Sequence, residues 1–194
     1  MAELSGIRIG FAVTGSFCSF EKAFRQAEIL TGMGADLLPI MSEKAYSTST
    51  RFGTAQDNIK KFEAVCGKPV IASIEDAEPM GPKNLTDIII VAPCTSNTAA
   101  KLASSITDTA VTMAVKSHLR SGKPVVLAIA SNDSLMGSAK NIGNLFNYKN
   151  YYFVPMRQDD IHKKPGSMVA DFELIPDAVR AALDGIQLRP IIKE

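Results

Sequence analysis

Short apolar runs alternate with segments of helical period along most of this chain. Arg8 to Val13 reads as a first strand, and Thr14-Gly15-Ser16 follows as a tight turn. From Phe20 to Met33 the apolar residues Phe20, Ala23, Phe24, Ala27 and Leu30 recur at three and four positions, which puts them on one helical face, and Gly32 and Gly34 supply stop signals. Asp36 to Met41 reads as a second strand. Ser42 stands after it as an N-cap, and Glu43 sits in the first turn that Ser42 opens. A surface loop rich in Ser and Thr, holding Arg51, is expected over Tyr46 to Gly53, then a helix over Ala55 to Val65 and a short extra strand at Val70 to Ser73. Glu78 to Lys83 is rich in turn residues.

Ile88 to Val91 is a continuous apolar run, as expected for a strand buried on both faces of a parallel sheet. Pro93 has no N–H to give to a ladder and is expected to end it. Cys94 to Thr98 forms a small polar cluster before a helix carried by Ala99, Ala100, Leu102 and Ala103. A helix over Val111 to Ser121, a strand at Val125 to Ala130, a polar turn Ser131-Asn132-Asp133 and a helix reaching Tyr148 follow. Tyr151 to Val154 reads as the last strand, Pro155 to Ala170 as a charged Gly/Pro loop of lid length, and Phe172 to Leu183 as the closing helix. Strands alternating with helices predict one doubly wound α/β domain over residues 1–194, a Rossmann-like three-layer sandwich with a mainly parallel sheet.

Composition narrows the function classes. A net charge of +1 without long basic runs gives no electrostatic footprint for nucleic acid. No apolar segment approaches the roughly 20 residues of a membrane span, and Met1 to Gly10 lacks the layout of a secretory leader, so a cytoplasmic location is expected. Three widely spaced cysteines and two histidines give no disulfide framework, no metal-ligand grouping and weak support for zinc or Ser-His-Asp chemistry.

The chemistry is expected where strand ends meet helix starts. Hydroxyl-rich turns at Thr14 to Ser16, at Ser42 and at Thr95 to Thr98 present short O–H and backbone N–H groups, suited to a phosphate. The first turn lacks the G-x-G-x-x-G spacing of dinucleotide folds, although Glu43 stands where such folds hold a ribose. Cys94 near a helix start has the position of an activated thiol but no nearby histidine as base, and the alternative is a small buried hydrophobe. His118 falls within a helix as a packing or surface residue. His162 belongs to the charged segment Gln158 to Ser167.

Ala92, Pro93, Thr95, Asn97, Thr98 and Lys101 match the A-P-x-[TS]-A-N-T strand-to-helix motif and its helix lysine in the homo-oligomeric flavin-containing cysteine decarboxylase (HFCD) superfamily of FMN flavoproteins; Ser96 departs from it. Thr14-Gly15-Ser16 resembles the first FMN loop of that superfamily, and Ser42 matches the Ser or Thr after its second strand. Over the whole chain, Thr50 to Gly53, Glu78 to Lys83, Ser131 to Asp133, Tyr152 to Pro155, and Gln158 to Asp160 with Lys163 to Pro165 resemble the family of dipicolinate synthase B subunits of spore-forming bacteria. Two features depart from the decarboxylating relatives. There is no histidine between Gly67 and Ser117, and Ala130-Ser131-Asn132-Asp133 replaces the P-x-M-N-x-x-M motif.

The resemblance implies FMN, held by Thr14, Gly15, Ser16, Ser42, Pro93, Thr95, Asn97 and Thr98. It implies an oxidoreductase role beside an A subunit that uses NAD(P), together converting a dihydrodipicolinate-type intermediate of the lysine pathway to dipicolinic acid in the mother cell. A homo-oligomer is also implied. A dicarboxylate substrate calls for cations, and Arg51, Lys163 and Lys164, with Asn97, are the substrate-binding candidates. Two alternatives stand beside this reading: a non-catalytic binding or assembly role with a degenerate flavin site, and a free-standing FMN-dependent decarboxylase.

Overall fold

The computed structural model describes residues 3–193. Its parallel core contains β1 (Arg8–Val13), β2 (Asp36–Met41), β3 (Ile88–Cys94), β4 (Val125–Ser131) and β5 (Tyr151–Phe153), arranged in the order β2-β1-β3-β4-β5. The first two strands occupy the expected residues. Arg8 aligns with Asp36 and Val13 with Met41, while Ile9 to Ala12 align with Ile88 to Val91 on the other side.

β3 divides its side chains between two cores because successive residues point to opposite faces. Ile88, Ile90 and Ala92 join Phe11, Phe24 and Phe62 in one; Ile89, Val91 and Cys94 join Val115, Leu127 and Ile129 in the other. The first core is covered by α1 (Phe20–Gly32), α3 (Ala55–Cys66) and α8 (Ile175–Leu183). The second is covered by α4 (Ile74–Ala77), α5 (Ser96–Ala103), α6 (Ala110–Leu119) and α7 (Ala139–Asn147). The short α2 (Glu43–Ser47) follows β2.

Several boundaries differ from the sequence expectation. Pro93 does not end β3: Cys94 pairs with Ile129 after a register shift, so the missing N–H is absorbed in an irregularity and the strand resumes. Val70 to Ser73 forms no strand; Ile71 makes one parallel bridge to Ile40, which is too little contact for a ladder. The helix after Ser131-Asn132-Asp133 begins only at Ala139, because Ser131 and Ser138 both donate to the Asp133 carboxylate and close a turn there. Tyr151 to Phe153 is not the last strand. The 155–170 segment, expected as an irregular lid-length loop, contains β6 (Met156–Arg157) and β7 (Met168–Ala170), an antiparallel pair whose second strand adds to β4 at Ala130 and Ser131. Two- and three-residue strands carry too few alternating positions to be legible as a period.

The end of the sheet where β3 and β4 begin is closed by polar groups. Asp87 receives a forked pair from Arg8, Nη2 at 2.6 Å and Nε at 3.1 Å, and the Arg8 hydrogen bond, reinforced by Lys123, holds its carboxyl at about 2. Beside it, the buried His118 places Nδ1 3.0 Å from Thr86 Oγ1 and Nε2 3.0 Å from the Pro124 carbonyl. A carbonyl can only accept, so Nε2 carries the proton and Nδ1 accepts from Thr86. Burial pushes this imidazole down to about 4, although the Pro124 carbonyl opposes the shift.

Because the unfolded chain has an ordinary histidine near 6.5, it binds more protons than the native state between that pH and about 4. The stabilising contribution is therefore complete above pH 6.5 and falls as acid is added, by at most about 3 kcal/mol. Urea unfolding of wild type and His118→Gln at pH 7.5 and pH 4.5 checks this. The wild type is expected to lose more stability than the variant on acidification, and equal losses would rule His118 out as the source.

Candidate functional site

The order β2-β1-β3 means that the chain leaves β1 toward one side and later returns to place β3 on the other. A crevice opens at such a switch point beyond the carboxyl ends of the strands, the site where doubly wound sheets of order 2-1-3-4-5 hold ligands. Here it is a cleft of about 400 Å³ lined by Gly15, Phe17, Ser42, Glu43, Lys44, Thr48, Thr95, Ser96, Asn97, Lys101 and Thr109. The volume lies within the range of small-molecule sites.

Each wall follows from local chemistry. Ser42 caps α2, its Oγ accepting from Ala45 N at 3.4 Å, and Glu43 is the first helical residue, where a carboxylate favours the helix dipole. Thr95 caps α5 by accepting from Thr98 N at 3.4 Å, and its hydroxyl lies 3.1 Å from that of Thr98. Thr14 ties the two sides together: its buried Oγ1 donates to the Pro93 carbonyl at 2.7 Å and accepts from Thr95 N at 3.1 Å. Thr14, Pro93 and Thr98 thus hold the loops in position, while Gly15, Ser42, Thr95 and Asn97 reach the cleft itself. Ser16 stands on the same loop, with its N–H on the Thr14 carbonyl at 2.7 Å and its hydroxyl 3.2 Å from that of Ser19.

Phe17 supplies an apolar wall and ends a run of rings, Phe17–Phe20 at 5.1 Å, Phe20–Phe24 at 5.6 Å and Phe24–Phe62 at 5.1 Å, that connects the cleft to the core. Lys101 lies 2.8 Å from Asp108, and that hydrogen bond holds the Asp108 carboxyl below its ordinary value. Lys44 lines the opposite wall.

The donors fit a phosphate-bearing flavin: hydroxyls at Ser42 and Thr95, ammonium groups at Lys44 and Lys101, the Asn97 amide and the Phe17 face all meet at one cleft. The cleft is poorly equipped for nucleophilic catalysis. Burial pushes the Cys94 thiol up to about 12, so it remains protonated and packs as a hydrophobe. No histidine is among the lining residues; His118 lies at the other end of the sheet, and His162 lies between β6 and β7. Among the described residues no three His, Cys, Asp or Glu side chains come together as a metal site.

Arg51, Lys163 and Lys164 do not line this cleft. The Arg51 guanidinium lies 4.9 Å from the centre of the Phe52 ring in an exposed turn, and Lys164 pairs with Asp159 at 2.5 Å. Phe17, Lys44, Thr48 and Thr109 were not legible as lining residues in the sequence. The hydroxyl-rich stretch after Tyr46 marked Thr48 as a loop residue without giving its direction, and Thr109 is recognisable locally only as the cap of α6.

The chain is similar to known proteins over its whole length. The family described as Flavoprotein matches residues 1–183. The dipicolinate synthase B subunit of Bacillus subtilis is 44% identical over 194 residues, covering 100% of this chain and 97% of that protein. The crystal structure of the dipicolinate synthase B subunit from Bacillus halodurans superposes with a TM-score of 0.91 at 38% identity, covering 99% of this chain and 98% of the other. HAL3 from Cryptococcus neoformans shares the fold, with a TM-score of 0.67 at 19% identity over 92% of this chain and 97% of that one.

The Thr14 bridge generates a prediction. Thr14→Val leaves a buried carbonyl and N–H without their partner and is expected to cost about 1–3 kcal/mol, whereas Thr14→Ser keeps the hydroxyl and most of the stability. A valine variant that melts with the wild type would contradict the assignment of Thr14 as the tie between the two loops.

Proposed function

The chain belongs to the flavoprotein family and, within it, to the family of dipicolinate synthase B subunits, and from that premise we propose that it acts as the B subunit of a dipicolinate synthase. The full-length likeness to the Bacillus subtilis protein carries this reading, and the cleft at the β1/β3 switch point supports it. In this reading a separate A subunit uses NAD(P), and the pair converts a dihydrodipicolinate-type intermediate to dipicolinic acid. The atoms balance: the dihydro ring loses a hydride to NAD(P)⁺ and one proton to a base or solvent, leaving the aromatic pyridine dicarboxylate.

Ser42, Thr95 and the Gly15–Ser16 loop would hold the phosphate of FMN, with Lys44 and Lys101 supplying countercharge, Asn97 meeting a polar edge and Phe17 an apolar face. Bound FMN would supply reversible two-electron chemistry. The residues of this chain bind, orient and exclude water; none in the cleft is set up as an imidazole base or a thiolate. That same deficit favours a second reading, in which this chain has a binding or assembly role and the A subunit performs the oxidation. It disfavours a free-standing decarboxylase. A mother-cell setting and a homo-oligomeric state belong to the proposal as well.

Two measurements check it. Purified chain mixed with FMN and freed of excess is expected to keep a flavin band near ~450 nm, reduced in Asn97→Ala; a colourless protein would indicate a cleft that has lost its cofactor. Dipicolinate formation from the dihydro intermediate and NAD(P)⁺ is expected to be faster with both proteins than with the A subunit alone. Equal rates would leave the non-catalytic reading, and no product from the pair would overturn the synthase assignment.

A further inference from the structure

A second and larger cavity, about 1120 Å³, shares no lining residue with the cleft. It lies where α1 faces the β6–β7 pair, the segment at Asp171 to Glu173 and residues Ile192 and Lys193. Residues 191–193 are tied to β6: Met156 N donates to Ile191 O at 2.8 Å, and Lys193 N to Met156 O at 2.9 Å.

The charge on its walls is unbalanced. Among the lining acids, Asp171 is already paired with Lys193 at 2.6 Å, and Asp159 with Lys164 at 2.5 Å. Lys22, Arg25 and Arg157 remain without an ion pair among the described residues, and the one other lining acid is Glu173. Lys22 and Arg25 lie three residues apart on α1, so they project from the same face, and Arg157 reaches the cavity from β6. The charge of Arg157 also helps to hold the Asp171 carboxyl below its ordinary range, after the larger effect of Lys193.

Gln26 stands one helical turn beyond Lys22. It lines the cavity while only 3% exposed, and its Oε1 has no hydrogen-bond partner among the described residues. A buried amide oxygen left unpaired is costly, and this one stands beside the cavity. Val169 and Phe172 give the same cavity an apolar side. A patch of guanidinium and ammonium groups, one buried acceptor and an apolar wall together specify a small, flat or ring-shaped anion that also carries a donor.

We propose that this cavity is a second ligand site, which binds a cyclic dicarboxylate through Arg25, Arg157 and Lys22 and receives a ring N–H or hydroxyl on Gln26 Oε1. The choice of a dicarboxylate over other anions rests on the synthase reading above; the site itself rests on the residues named here. It moves the substrate-recognition role from Arg51, Lys163 and Lys164 to cations that line a cavity.

Titration calorimetry of the full chain with piperidine-2,6-dicarboxylate, whose ring nitrogen donates, and with pyridine-2,6-dicarboxylate, whose ring nitrogen does not, tests the proposal directly. Both are expected to bind, the piperidine more tightly. Arg25→Gln and Arg157→Gln are each expected to weaken both by about tenfold, the size of one charge-assisted hydrogen bond, while Lys149→Gln, an exposed lysine lining neither cavity, leaves them unchanged. Gln26→Met is expected to abolish the preference for the piperidine ring. Absence of binding to the wild type, or unaltered binding in both arginine variants, would overturn the site; both arginines are exposed, so these variants should fold even where Gln26→Met does not. The synthase assay is independent of this one: binding that depends on the arginines in a chain that makes no dipicolinate with its partner retains the site and removes the reading, and the converse removes the site alone.

Discussion

Burial of β3 on both faces is the constraint from which the architecture follows. Every residue from Ile88 to Cys94 is buried, and a strand in that position must have paired neighbours on both edges and helices on both sides. β1 and β4 supply the edges. The alternation of side chains then forces two separate cores, one closed by α1, α3 and α8 and the other by α4 to α7. Because β1 has β2 on its other edge, the connections after β1 and β3 diverge, and the cleft is the space left between them. The site is thus a product of strand order before it is a product of any residue in it.

Within that space the chain arranges hydroxyls and backbone N–H groups and withdraws its reactive side chains. Thr14, Ser42 and Thr95 are all engaged in holding loops and helix starts, leaving the cleft pre-shaped with polar groups at fixed positions. Cys94 and His118, the thiol and imidazole nearest the sheet, are driven by burial to their neutral forms. The acidic and basic side chains that line the cleft are Glu43, Lys44 and Lys101. Such an inventory serves binding and orientation better than proton transfer near neutral pH.

The antiparallel β6–β7 pair shows how a small addition creates a second surface. By joining β4 above the short β5, it extends the sheet over α1 and brings Arg157 opposite Lys22 and Arg25. The pair is only two and three residues long, and it is stable there because β4 already offers an ordered edge at Ala130 and Ser131. Two cavities with separate linings, one rich in hydroxyls and the other in cations, give this fold room for two chemically different ligands.

Long periodic elements were determined by the sequence alone. The first two strands, α1, α3 and α6 follow from runs of apolar residues long enough to show a period, and the cap at Ser42 follows from a short polar side chain beside backbone N–H groups. The hydroxyl-rich strand ends identified one wall each of the cleft. Only the tertiary structure decided which walls meet, because strand order is set by contacts between residues far apart in the chain. It also decided the direction of the cations. Arg51, Lys163 and Lys164 are suitable by charge and loop position but do not line the cleft, and Lys22, Arg25 and Arg157 line one cavity together, brought there by a helix and a strand pair too short to have a period. Local pattern encodes local structure, whereas convergence of distant side chains is a property of packing.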